Sequence, residues 1–256
     1  MSTWVLLRGL MRESRHWGDF QFLFQNAVSA PVVTLDLPGN GRLHMQTSAN
    51  SVEGMVNHVR TQLTQLGYEP PYRILALSLG AMVAVAWCES LPVEIEIMVL
   101  INTSLPPYNH FYHRLRPENY LALSLLLFGT DSQREKLILK LTSTRSRDEN
   151  LNATLEQWTT YSREFPVSPG NILRQLQAAI SFNSVTGTPK TPVLLLASQK
   201  DQLVNVKCSI QLAQQWGCAL RLHPIAGHDL PLDDGLWVIQ QIMEWLNSSL
   251  TSPELK

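Results

Sequence analysis

The sequence predicts an α/β fold: a parallel sheet covered by helices on both faces, with a helical segment inserted before the last two strands. Three observations carry this. Strand-like and helix-like patterns alternate over residues 5–102 and again over 192–250. The strand-like runs are continuously apolar, as expected of strands buried on both faces, where half-exposed strands would alternate. Residues 109–182 hold helical patterns alone, a stretch too long for a single loop.

In order, Val5 to Leu7 reads as a first strand that leaves through Arg8-Gly9-Leu10-Met11, and Ser14 to Ala27 as a helix. Pro31 to Asp36 is a second apolar strand, closed by Leu37-Pro38-Gly39-Asn40-Gly41, a run of backbone breakers. Val52 to Leu66 is amphipathic at helical spacing, with Val52, Met55, Val56, Val59 and Leu63 on one side. Arg73 to Leu77 is a short buried strand, and from Leu79 small apolar helix formers follow. Glu96 to Asn102 is the fourth strand. The inserted helices are expected at Glu118–Phe128, Ser132–Thr142, Leu151–Glu164 and Asn171–Ile180. Pro192 to Ser198 and Ala219 to His223 return as strands, with helices at Val204–Trp216 and Leu236–Leu250. This gives a core of residues 1–106 and 188–256 and a helical cap of residues 107–187.

Composition narrows the function classes. With 256 residues, 45% of them hydrophobic, the chain can bury one substantial core. A net charge of −1 gives no electrostatic case for nucleic acid or an anionic membrane as partner. No apolar run reaches the length of a membrane span, and the N-terminus lacks the basic region and apolar run of a signal peptide. Cys88, Cys208 and Cys218 form an odd set without metal-ligand spacing, which suits reduced thiols and a cytoplasmic location.

The chemistry is expected around Ser78. A strand that becomes a helix at one residue strains that residue and pushes its side chain outward. The close approach of strand to helix requires small residues two places either side, here Ala76 and Gly80. The other reading is a serine that caps the helix. An exposed serine needs a base, and the base needs a third group to orient it. Asp201 and His228 each follow a strand, in the chain order serine, acid, histidine; Asp201 also reads as a helix cap, and Asp229 and Asp233 are competing acids. Negative charge on the attacked carbonyl requires two preplaced N–H donors, for which Leu79 and Leu10 are placed. Arg8, Gly9, His110 and Leu125 are the candidate substrate contacts; Leu121, Leu125 and Phe128 are candidates for an acyl pocket, although cap core is the favoured reading for these three.

Together these motifs resemble the α/β-hydrolase superfamily over essentially the whole chain. Arg8-Gly9-Leu10 stands where that family has His-Gly-x, and Asp36-Leu37-Pro38-Gly39-Asn40-Gly41 is similar to its Asp-x-Pro-Gly-x-Gly turn. The resemblance implies Ser78 as nucleophile, His228 as base, Asp201 as acid, and Leu10 with Leu79 as oxyanion hole. Arg8 and Ala76 are departures, and two antiparallel strands before the first motif are missing. A compact sheet of about six parallel strands, in the order 4-3-5-6-7-8 of the family's naming, is therefore expected.

The size, the turn and the helical cap look most like small bacterial carboxylesterases of the pimeloyl-carrier-protein methyl ester esterase type. That implies a serine esterase working through an acyl-enzyme, with no metal or cofactor, and a methyl ester on a carrier-bound acyl chain as a finer expectation. Arg134, Lys136, Lys140, Arg145 and Arg147 would then meet an acyl carrier protein, although such a run also suits a solvated helix face. The alternatives are a thioesterase or carbon–carbon lyase of the same fold, or a non-catalytic binding protein.

Overall fold

The computed structural model describes residues 2–145, 150–184 and 187–251. Six strands, β1 (Trp4–Leu7), β2 (Val32–Leu35), β3 (Tyr72–Leu77), β4 (Ile95–Ile101), β5 (Val193–Ser198) and β6 (Ala219–His223), form one sheet in the order β2-β1-β3-β4-β5-β6. Every neighbouring pair is parallel. This is the compact sheet and strand order that the sequence predicts.

The continuous apolar runs have a direct cause: alternate residues of each strand feed two different cores. Val5, Leu7, Ile74, Ala76, Met98, Leu100 and Leu195 face one side, where they pack on α2 (Val52–Gln65), α3 (Leu79–Ser90) and α9 (Lys207–Trp216). Trp4, Leu6, Leu75, Leu77, Val99, Ile101 and Leu194 face the other, against α1 (Phe20–Val28) and α10 (Leu230–Thr251). Neither face of the sheet is left to water, so no strand needs a polar stripe.

Between β4 and β5 the described residues form five α-helices: α4 (Phe111–Arg114), α5 (Tyr120–Leu125), α6 (Asp131–Thr142), α7 (Asn150–Glu164) and α8 (Pro169–Ser181). Their own apolar cluster holds Leu126, Ile138, Leu139, Trp158 and Ile172, with Met11 reaching up from the core. The breaker-rich turn after β2 is the seat of α8. Asn171 accepts from the Ser48 N–H at 2.9 Å, and the Gln175 amide donates to Asn40 Oδ1 at 2.8 Å and to Ser48 Oγ at 3.0 Å. Below, Arg12 reaches Glu135 of α6 with both terminal nitrogens, at 2.7 and 3.2 Å, over the Trp158 ring.

Element boundaries differ from expectation where local chemistry intervenes. The expected helix from Ser14 splits at Gly18 (φ 51°) into a 3-10 turn, Ser14–Trp17, and α1. Helix α9 starts at Lys207 instead of Val204, because the Asp201 carboxylate captures the Leu203 and Val204 N–H groups in a turn. The last helix begins at Leu230, earlier than its apolar periodicity suggests, and is broken at Asp234.

Candidate active site

The strand order reverses between β1 and β3, the crevice where open α/β sheets place their ligands. Ser78 stands at the β3 side of it with φ 55° and ψ −114°, and its side chain makes no cap hydrogen bond to α3. The helix-capping alternative for Ser78 is thereby set aside. A non-glycine residue in this region stores on the order of 1–3 kcal/mol of backbone strain. Steric necessity fixes the small neighbours. A Cβ on Gly80 would lie 2.6 Å from the Leu7 carbonyl oxygen and 2.7 Å from that of Arg8, so only glycine lets α3 pass the end of β1. Ala76 has its methyl fully buried in the sheet core, which explains why alanine serves where the motif usually has glycine. On the β1 side, a Cβ on Gly9 would sit 3.3 Å from that of Ser78.

Asp201 and His228 are brought together from the ends of β5 and β6. The His228 Nδ1 and Asp201 Oδ2 are hydrogen-bonded at 2.7 Å, with both residues buried. The other oxygen of Asp201 accepts from the Leu203 and Val204 amides at 2.8 and 3.0 Å. Asp201 thus closes a turn ahead of α9 and does not cap that helix, whose N-cap is Val206, while its other oxygen meets His228. Asn102, at the end of β4 with φ 45°, ties the two loops: its amide donates to the His228 carbonyl at 2.8 Å and its oxygen accepts from the Ser198 N–H at 2.8 Å. The competing acids are engaged elsewhere. Asp233 accepts from the Gly227 N–H and from Ser143 and Thr144 of the cap.

Asp229 forms a buried, two-pronged pair with Arg8, at 3.0 and 2.5 Å, and the Arg8 guanidinium lies 4.8 Å from the centre of the Trp17 ring. Arg8 thus lines the cavity with both terminal nitrogens committed to Asp229. The histidine loop is also tied to the cap. The Asp229 N–H donates to the Thr142 carbonyl at 2.8 Å, and a Cβ on Gly227 would lie 2.6 Å from that same oxygen. Gly227→Ala must push the end of α6 away; a loss of about 1–3 kcal/mol in stability is expected, read from the urea midpoint at unchanged m-value.

Above Ser78 and His228 opens a cavity of about 650 Å³, lined also by Gly9, Leu10, Leu79, Met82 and cap residues of α4–α6 and α8. Its wall is mainly apolar, and Phe111, Tyr120 and Ile180, all exposed, form part of its lining. Among the described residues neither the Leu10 nor the Leu79 N–H meets an acceptor, and both residues face this space. Two candidate contacts require correction. His110 is exposed and stacks on Tyr112, and Leu125 is 54% exposed; neither lines the cavity. Leu121 and Phe128, at 75% and 83% exposure, are neither pocket nor core. On the short α5 the cavity-lining residues are Tyr120, Leu123 and Ser124, followed by Leu126 and Leu127 beyond its end. Sequence reasoning missed Asn102, Arg114 and the Arg8–Asp229 pair; only the residue type of Asn102 at a strand end hinted at a special backbone.

Burial works to lower the pKa of His228, but the charge and hydrogen bond of Asp201, helped by Asp229, outweigh it and raise the pKa above the ordinary 6.5. A histidine must be neutral to accept a proton, so a reaction that uses His228 as its base should slow as pH drops through this raised value. The acid limb of kcat/KM is expected above pH 6.5. In Asp201→Asn the residual activity should show that limb moved down. By contrast, burial pushes the Cys208 and Cys218 thiols up to about 12 and about 11, which leaves them protonated and poor nucleophiles. Among the described residues no cluster of three or more metal-ligating side chains occurs, and no helix is long and apolar enough to cross a membrane.

Comparison with known proteins agrees with this architecture. No curated protein matches the sequence. Among solved structures, a thermophilic esterase from Thermogutta terrifontis superposes with a TM-score of 0.79 at 17% identity, covering 97% of this chain and 90% of that one. The 2-hydroxy-6-oxo-6-phenylhexa-2,4-dienoate hydrolase from Rhodococcus sp. strain RHA1 gives 0.79 at 17% identity, with 96% and 90% covered. A hydrolase from Oleispira antarctica gives 0.77 at 17%, with 96% and 91% covered. At such identities these similarities speak for the fold. A family model for the alpha/beta hydrolase fold matches residues 5–235, nearly the whole of the described core and cap, and the chain belongs to that family.

Proposed function

We propose that this protein is a serine hydrolase that cleaves a carboxylic ester. The observation that carries the reading is the buried 2.7 Å His228–Asp201 hydrogen bond at the floor of the apolar cavity where the strained Ser78 stands. Ser78 Oγ attacks the ester carbonyl while His228 Nε2 takes its proton. Asp201 holds the imidazole in the tautomer with Nδ1 protonated and offsets its charge. The N–H groups of Leu10 and Leu79 receive the developing oxyanion, with the N-terminal end of α3 adding its dipole. His228 then returns the proton to the departing alcohol. Water, activated by the same imidazole, releases the acid and restores Ser78.

The carrier-bound methyl ester is the finer form of this reading. It is supported by exposed Lys136 and Lys140 on α6 and by exposed Arg145. Arg134 is half-buried and turns a nitrogen toward the Leu127 carbonyl, and Arg147 lies outside the described residues.

The test is a panel of methyl and p-nitrophenyl esters from short to medium acyl length, run beside fluorophosphonate labelling. Turnover of at least one ester, with label on Ser78 alone, is expected. A protein that cleaves none and takes no label would be a binding protein on this fold.

A further inference from the structure

Three arginines line the cavity: Arg8, Arg12 and Arg114. Two are neutralised within the protein, Arg8 by Asp229 and Arg12 by Glu135, each through a pair of hydrogen bonds. Arg114, on α4, is different. Its Nη2 donates to the Ala179 carbonyl of α8 at 2.6 Å and no carboxylate pairs with it among the described residues, while the Nε atoms of all three arginines are buried without an acceptor. Burial lowers its pKa, and among the described residues no carboxylate acts to raise it. A cation taken partly out of water without a counter-charge is unfavourable unless something else supplies the charge. The cavity is where that charge can come from, because away from Ser78, His228 and the Leu10 and Leu79 N–H groups its wall is largely apolar.

We infer that Arg114 receives a carboxylate carried on the substrate, so that the preferred substrates are half-esters of dicarboxylic acids. This inference rests on the ester-hydrolase reading for the reaction, though not for the binding. A planar guanidinium with free N–H donors matches a carboxylate, and one unpaired cation balances one negative charge. A phosphate dianion would leave half its charge uncompensated. The apolar stretch of wall would hold the chain between ester and acid. A chain blocked by a carrier at its far end offers Arg114 no carboxylate, so the half-ester and the carrier-bound methyl ester are rival finer forms of the same hydrolase reading.

The test compares monomethyl half-esters of straight-chain dicarboxylic acids, six to nine carbons long, with methyl esters of the matching monocarboxylic acids. For at least one length the wild type should favour the half-ester by tenfold or more in kcat/KM. In Arg114→Gln that ratio should fall about tenfold to a hundredfold, and Arg114→Lys should recover part of it. An equal kcat/KM for charged and neutral esters at every length, or a ratio unmoved by Arg114→Gln, overturns the inference. Calorimetry on Ser78→Ala with monomethyl adipate and monomethyl suberate separates the two claims. Binding that weakens at least tenfold in Ser78→Ala/Arg114→Gln supports the carboxylate site even if no ester is turned over, in which case the hydrolase reading alone fails. Binding indifferent to Arg114, or tighter binding of butyl phosphate than of either half-ester, rejects the carboxylate.

Discussion

Ser78→Ala should reduce ester turnover by about 10⁴- to 10⁶-fold while leaving the fold in place. Nothing else at the cavity replaces the lost oxygen: burial keeps the cysteine thiols protonated, and neither Cys208 nor Cys218 lines the space. The residual rate would reflect only substrate binding and the two N–H donors. Stability should change little, since Ser78 makes no side-chain cap bond to α3 and alanine at φ 55° carries a similar strain. Ser78→Gly should lose the same activity and gain about 1 kcal/mol in stability, because glycine adopts a positive φ without a Cβ penalty. Burst kinetics with a p-nitrophenyl ester and urea unfolding of both variants check this. Undiminished turnover in Ser78→Ala would end the case for a covalent mechanism at this residue.

Arg8→Met should cost about 3–5 kcal/mol of stability, because it leaves a buried carboxylate without its partner. The Arg8 and Asp229 side chains are only 2% and 4% exposed, so removing the cation strands a carboxylate in a site that water does not reach. Removing both partners, in Arg8→Met/Asp229→Asn, should recover most of the loss, because a neutral pair carries no desolvation debt. Chemical denaturation of the four proteins in the cycle measures the coupling directly. The single variant should also move the acid limb of activity to higher pH. Asp229 raises the pKa of His228 and Arg8 lowers it, so deleting Arg8 leaves two carboxylates favouring the imidazolium. A stability loss below about 1 kcal/mol, with an unmoved acid limb, would show that the pair is solvated and dispensable.

The sheet was readable because its strands are buried on both faces, which leaves continuous runs such as Arg73–Leu77 and Pro192–Ser198 that no surface helix would show. Ser78, Asp201 and His228 were readable for a related reason: each is polar where an apolar strand has just ended. The rest of the site was hidden by distance and by the cap. Arg8 and Asp229 lie 221 positions apart, and no local pattern joins them. In the cap, α4 spans four residues and α5 six, too short for helical periodicity to say which side faces in. His110 and Leu125 were misplaced on that account, and Arg114 was overlooked. Where periodicity is longer, as in α6 and α7, the expected spans hold to within a residue or two.

The anchoring of Thr142 by the loop of His228 sets how traffic through the enzyme must run. The Asp229 N–H bond to the Thr142 carbonyl ties the end of α6 to the loop of His228, so lifting that edge of the roof would move the histidine loop with it. Phe111, Tyr120 and Ile180 stand in solvent on the cavity lining, a greasy threshold by which a molecule can enter. Arg114 stands on the same short helix as Phe111, so a molecule passing that doorway would meet its charge early in its passage.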